Sequence, residues 1–194
     1  SEMCIRDSFI RQYFKNNSIS FIKKEYEKYY SKYFNNIKST QKPKYKDDIT
    51  NNIFTINEQY RIDSLWTESI NEGQIAAEFY PYTITDVLSM PTKLERKTPF
   101  QLSYPLERSH TVKVQLPEDW NMSQDSFSIN SSNISYSQDI YYNETKKLLT
   151  INYSYKALKD HVTVEEFPDF FNDLQTIDKQ IAYNIITTNE GLLS

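Results

Sequence analysis

Between Ile134 and Tyr155 the sequence alternates apolar and polar residues with a period of two. Ile134, Tyr136, Ile140 and Tyr142 form one run, and Leu149, Ile151, Tyr153 and Tyr155 form a second after a turn carrying Asn143. Successive side chains of a strand point to opposite faces, so this period specifies strands with one buried face and one wet face. The two runs read as a β-hairpin, with the short polar side chain of Asn143 able to hydrogen-bond the local backbone. The period recurs in Phe54, Ile56, Tyr60 and Ile62, which alternate with Thr55, Asn57, Arg61 and Asp63. It recurs again in Val112, Val114 and Leu116 against Thr111, Lys113 and Gln115. Phe127 with Ile129, and Val162 with Val164, supply two shorter strands, and Pro81, Pro91, Pro99, Pro105 and Pro117 lie between the runs. A proline lacks the amide proton a ladder needs, so these positions suit connections. The expected fold is mainly β, an antiparallel β-sandwich with an N-terminal amphipathic helix and a C-terminal helix.

Two segments keep a helical period. From Ser18 to Lys38 the apolar residues fall at Ile22, Tyr26, Tyr29, Tyr30, Tyr33, Phe34 and Ile37, one stripe of a helix with Ser18 or Ser20 as N-cap. The lysine-rich stretch Ser39 to Asp48, with Pro43, reads as a linker. Near the end Pro168 suits a first helical turn, with Phe170, Phe171, Leu174 and Ile177 on one face, and Ile181 to Thr187 reads as a closing strand. The expected organisation is residues 9–46 as a helical segment and linker, 47–188 as the β-sandwich domain and 189–194 as a tail.

Residues 1–8, SEMCIRDS, are what a common transposase sequencing adapter gives when read in frame, TCG GAG ATG TGT ATA AGA GAC AG followed by one more base. They are set aside as an artefact. On that reading Cys4, the sole cysteine, is not native, the native chain forms no disulfide, and protein sequence precedes Phe9. With 22 basic and 26 acidic residues and no basic stripe, nucleic acid is not an expected partner. Only two glycines occur, which leaves no glycine-rich phosphate cradle, and no apolar run is long enough to span a bilayer as a helix.

Cys4 with Arg6 and Asp7 invites comparison with thiol enzymes, but a cysteine nucleophile needs a histidine within hydrogen-bond reach. The two candidates are His110, in the parity of Val112 and Val114, and His161, in the parity of exposed Thr163. No zinc-ligand spacing includes them. Glu165, Glu166, Asp169 and Asp173 could form an acid–base pair, but acidic residues in early helical turns are accounted for by the helix dipole. Asn121, Asn130, Asn133, Asn143 and Asn152 each begin a glycosylation acceptor pattern, which an Asn- and Ser-rich chain produces by chance. The 16 tyrosines, with Trp66 and Trp120, could stack on sugars, but most share the parity of the aliphatic core positions. No catalytic, cofactor-binding or metal residue is expected.

The runs DDITNNIFTINEQYRIDSLW, PTKLERKTPFQLSYPLERSHTVKVQLPEDW and YNETKKLLTINYSYKALKDHVTVEEFPDFFNDLQTIDKQIAYNII resemble the tail of bacterial transglutaminase-like proteins. Arg96 and Pro99 before Pro105, then a strand ending Leu116-Pro117 with Trp120 just beyond, are the most recognisable element. Such proteins combine a β-rich domain of unknown function, a papain-fold core and a C-terminal β domain, and the similarity is to the last part. The family's catalytic Cys, His and Asp belong to the upstream core and match no position in this sequence. The resemblance implies a non-catalytic accessory or scaffold domain of a larger cysteine peptidase or amide-transfer protein. It also implies packing against the missing core, and export to the periplasm or cell surface. The alternative is a β-sandwich module that binds a glycan or a polypeptide.

Overall fold

A computed structural model describes residues 2–63, 65–69, 73–88, 90–116 and 122–188. The chain divides into two compact units, Ser1–Ala77 with Ile185–Ser194, and Glu78–Asn184.

The first unit opens with two helices, α1 (Glu2–Asn16) and α2 (Ile19–Tyr30). Ser18 caps α2 as its sequence position suggests, its hydroxyl accepting from the Phe21 amide at 3.2 Å, and Ile22 is fully buried. The helix expected to run to Lys38 stops at Tyr30. Asn36 adopts a left-handed φ of 57°, a conformation asparagine tolerates, and Ile37 begins β1 (Ile37–Ser39) instead of closing the helical stripe. The expected linker is also partly a strand. β2 (Lys44–Asp48) pairs with β3 (Ile53–Asn57) in a hairpin whose turn is tied by Asp48, which accepts from the amide and side chain of Asn51 at 3.0 Å.

Composition hid this strand, because its lysines and aspartates sit on an exposed edge while Tyr45 packs on Phe14 and Phe54 at 4.9 and 5.5 Å. The run from Phe54 to Ile62 is likewise two strands, broken at Glu58 and Gln59 before β4 (Tyr60–Ile62), which pairs antiparallel with β1. Arg11 of α1 joins the hairpin through Asp47 at 2.9 Å and Asn52 at 2.8 Å. β5 (Thr67–Glu68) and β6 (Gln74–Phe79) follow as an antiparallel pair, with Gly73 entering β6 at a φ of 79°.

In the second unit the short helix α3 (Tyr82–Thr85) and strand β7 (Phe100–Gln101) precede four long strands, β8 (Leu106–Gln115), β9 (Asp125–Asn130), β10 (Ile134–Asn143) and β11 (Leu148–Ala157). Their order is β8-β11-β10-β9, all antiparallel. The β10–β11 hairpin is the one expected, and Asn143 accepts from the Lys146 amide at 2.8 Å in its turn. Register stacks Val112, Ile151 and Ile140 in one row of the sheet, and Tyr136, Tyr142, Leu149, Tyr153 and Tyr155 are buried on the same face. The other face carries short polar groups, including a cross-strand row of Ser109, Ser154, Ser137 and Ser128.

β12 (His161–Val162) pairs with β7, and α4 (Phe167–Gln180) buries Phe167, Phe170, Leu174 and Ile177. Phe171, one residue round the helix, is only half-buried. Ile181 caps α4 through its amide to the Ile177 carbonyl at 2.8 Å, so the final strand, β13 (Tyr183–Thr188), begins two residues later than the alternation suggests. It belongs to a three-stranded sheet of order β13-β6-β5.

The fold is therefore mainly β, with several antiparallel sheets, N-terminal helices and a C-terminal helix. Among the described residues the strands form five sheets of two to four strands. The helices packed on the four-stranded sheet are α3, against β8 and β11, and α4, against β9.

Candidate functional site

Cys4, Arg6 and Asp7 fall within α1, and their side chains lie outside the described part of the molecule. His110 lies on the inward-facing row of β8, as its parity predicts. Thr83 Oγ1 is 2.9 Å from its Nδ1, the Tyr153 ring stands edge-on at 6.4 Å, and burial holds its pKa below the usual histidine value. His161 is exposed on β12, with Nδ1 2.7 Å from Asp160 Oδ1. The two rings occupy different sheets and have different partners. Among the described residues, no three His, Cys, Asp or Glu side chains are grouped to hold a metal ion.

Of the acidic residues around the start of α4, Glu166 is held by its neighbours. Glu166 accepts from Lys159 Nζ at 2.6 Å and from the Thr163 amide at 3.3 Å, while its own amide donates to Thr163 Oγ1 at 3.2 Å. Thr163 and Glu166 thus exchange hydrogen bonds across the turn that leads into α4, whose first helical residue is Phe167. The hydrogen bond from Lys159 and that from the Thr163 amide hold the Glu166 carboxyl below the usual carboxylate range. Asp169 lies in the first turn of α4, where the helix dipole favours it.

Of the glycosylation patterns, Asn133 is buried at 3% exposure and unavailable to a modifying enzyme. Asn130 and Asn143 are exposed, Asn152 is half-buried, and Asn121 lies outside the described residues, as does Trp120. The tyrosines divide as their parity suggests. Tyr136, Tyr142, Tyr153 and Tyr155 are core, and burial pushes the Tyr155 hydroxyl up to about 12. In the first unit Tyr45 and Phe54 stack with an interplanar angle of 23°, but both rings also pack on Phe14, which accounts for them as a hairpin anchor.

One cluster escaped the sequence reading. Glu58, in the break between β3 and β4, is half-buried and accepts a hydrogen bond from Tyr60 Oη at 3.0 Å. Tyr30 also donates to it, Tyr26 lies nearby, and burial raises its carboxyl above the usual value despite both phenol donors. Tyr26 and Tyr30 are one helical turn apart, which is visible in the sequence. Their convergence on a carboxylate depends on the break at Glu58, which the alternation ran straight through.

The element of Arg96 and Pro99 is a packing device. The Arg96 guanidinium lies 4.9 Å from the Phe100 ring centroid and 5.1 Å from that of Phe167, fastening the loop before β7 to α4 by cation–π contact. This loop, the four-stranded sheet and α4 all fall within residues 74–187, which match the family model described as a domain of unknown function with a solved structure, DUF3858. The chain belongs to this family. Searches of curated proteins and of solved structures return no significant match. The DUF3858 match takes in all of the second compact unit, and α1, α2 and the hairpin of residues 44–57 precede it.

Proposed function

We propose that the DUF3858 domain of this chain is a non-catalytic accessory or scaffold domain of a larger, exported transglutaminase-like protein, in which it packs beside a papain-fold core encoded upstream. The observation that carries the reading is the way the domain spends its side chains. The inner sheet face is filled by tyrosine and aliphatic groups, the cavities found among the described residues are about 80 and 60 Å³, and Glu166 before α4 is held by Lys159 and the Thr163 amide. Cavities of that size hold a few waters, well short of the 300–1,000 Å³ usual for a ligand pocket. His110 and His161, the histidines a thiol nucleophile would need, are engaged by Thr83 and Asp160. The resemblance of the tail supplies the connection to a transglutaminase core and to the periplasm or cell surface.

The test is an assay of residues 9–194, purified to homogeneity, on amide and ester substrates. The expected result is no turnover above buffer. Turnover that survives the double change His110→Ala and His161→Ala would reveal chemistry the reading has missed and would remove the scaffold assignment.

A further inference from the structure

A carboxylate drawn partly out of water is commonly paired with a cation, because burying a charge without compensation is unfavourable. Glu58 departs from this rule. Its hydrogen-bonding neighbours are the neutral phenols of Tyr60 and Tyr30. Among the described residues no lysine, arginine or histidine forms an ion pair with it. The arginine nearest in sequence, Arg61, bonds Asp63 at 2.7 Å. The walls around it are aromatic. Tyr30 and Tyr60 meet edge to face at 5.0 Å, and Tyr29 meets Tyr30 at 5.2 Å and Tyr33 at 5.6 Å. The outer edge of this patch already takes a cation from the molecule itself, since Lys32 Nζ lies 5.7 Å from the centroid of Tyr29, and Tyr33 beside it is 52% exposed.

We propose that Glu58, with the rings of Tyr26, Tyr30 and Tyr60, is a receptor for the guanidinium group of an arginine presented by another polypeptide segment. A carboxylate has about four acceptor positions, and the two phenols use two of them, which leaves two for the parallel N–H groups of a guanidinium. Guanidinium is planar, stacks on aromatic faces and is less strongly hydrated than ammonium, so it loses less on entering a half-buried aromatic site. The bound cation would supply the countercharge that Glu58 lacks, so the site gains on binding what it forgoes when empty. A proton competes for the same carboxylate. The titratable groups facing it are Tyr26 and Tyr30 from α2 and Tyr60 from β4, all of them neutral at physiological pH because burial raises each further. Affinity should therefore fall in acid, as Glu58 itself is protonated.

The experiment follows the tyrosine ring resonances of the full chain by NMR while methylguanidinium chloride is added, against equal sodium chloride and methylammonium chloride. The expected result is a saturable shift of Tyr26, Tyr30 and Tyr60 with methylguanidinium, weaker with methylammonium. Loss of the ion pair in Glu58→Gln should weaken it about tenfold, the equivalent of roughly 1.4 kcal/mol. Tyr60→Phe keeps the ring wall and frees an acceptor position, so it should bind at least as well as the parent. The proposal is overturned by the absence of a saturable response in the parent chain, by equal affinity in Glu58→Gln, or by loss of binding in a folded Tyr60→Phe. The first would mean that phenols and a proton satisfy Glu58 by themselves, the second that the cation binds without its carboxylate, and the third that the Tyr60 hydroxyl, not a free acceptor position on Glu58, makes the contact.

Discussion

Replacing Phe170 by Ala should cost far more stability than the same change at Phe171 next to it. Phe170 is 2% exposed, lies 5.8 Å from the Phe100 ring and 6.3 Å from Phe167, and borders a cavity of about 60 Å³ shared with Leu106, Tyr155 and Leu174. An aromatic side chain buries roughly 150–200 Å² or more, which at about 25 cal/mol per Å² gives about 4–5 kcal/mol. Phenylalanine-to-alanine changes in cores cost about 3–5 kcal/mol, and the pre-existing space beside Phe170 gives neighbours little reason to collapse inward. Against a total of roughly 5–15 kcal/mol, that is a large fraction of the stability. Phe171 is half-buried, and its loss should cost under about 1.5 kcal/mol, near the ordinary range for point changes. Urea unfolding followed by far-ultraviolet circular dichroism measures both variants, with the m-value checked for constancy. If the two variants differ by less than about 1 kcal/mol, α4 is not seated on the sheet by the face described, and its role as part of the domain core is wrong.

His110 supplies a pH dependence. Burial places its folded pKa below the ordinary 6.5, so between those two values the unfolded chain binds more protons, and stability should fall as pH is lowered through that window. Thermal melts at pH 5.5 and 7.5 should show the loss, and His110→Asn, which keeps an acceptor near Thr83, should flatten it; an unchanged pH difference in the variant would assign the effect elsewhere. Glu166 should titrate below an ordinary glutamate by NMR and move back toward the usual value in Lys159→Met, because Lys159 is the leading cause of its depression. A Glu166 titration indifferent to Lys159 would contradict the Lys159–Glu166 pair.

Where the fold was legible, one physical signal did the work. The β10–β11 hairpin, the inward row of His110, Val112 and Val114, and the buried face of α4 all follow from side-chain period, and all lie in the second unit. The first unit was harder to read because its elements are short and decided by partners. β2 reads as a charged linker because its lysines face water, and its strand character comes from pairing with β3. α2 stops at Tyr30, and beyond it Asn36 turns the chain and pairing with β4 draws Ile37 into a strand while the helical stripe would have kept it. α1 was invisible in part because its first half was set aside with residues 1–8. The Glu58 cluster joins residues about 30 positions apart. It required a strand break that period alone does not announce, since Tyr60 keeps the parity of Phe54 and Ile56.

The proposal that this DUF3858 domain serves a transglutaminase-like core is open to one direct measurement, the sequence of the genomic locus upstream of the codon for Phe9. The expected result is a continuous reading frame encoding a papain-fold core with a cysteine, a histidine and an aspartate in that order. A frame that opens naturally at Ser1, or an upstream region lacking those three residues, would contradict it.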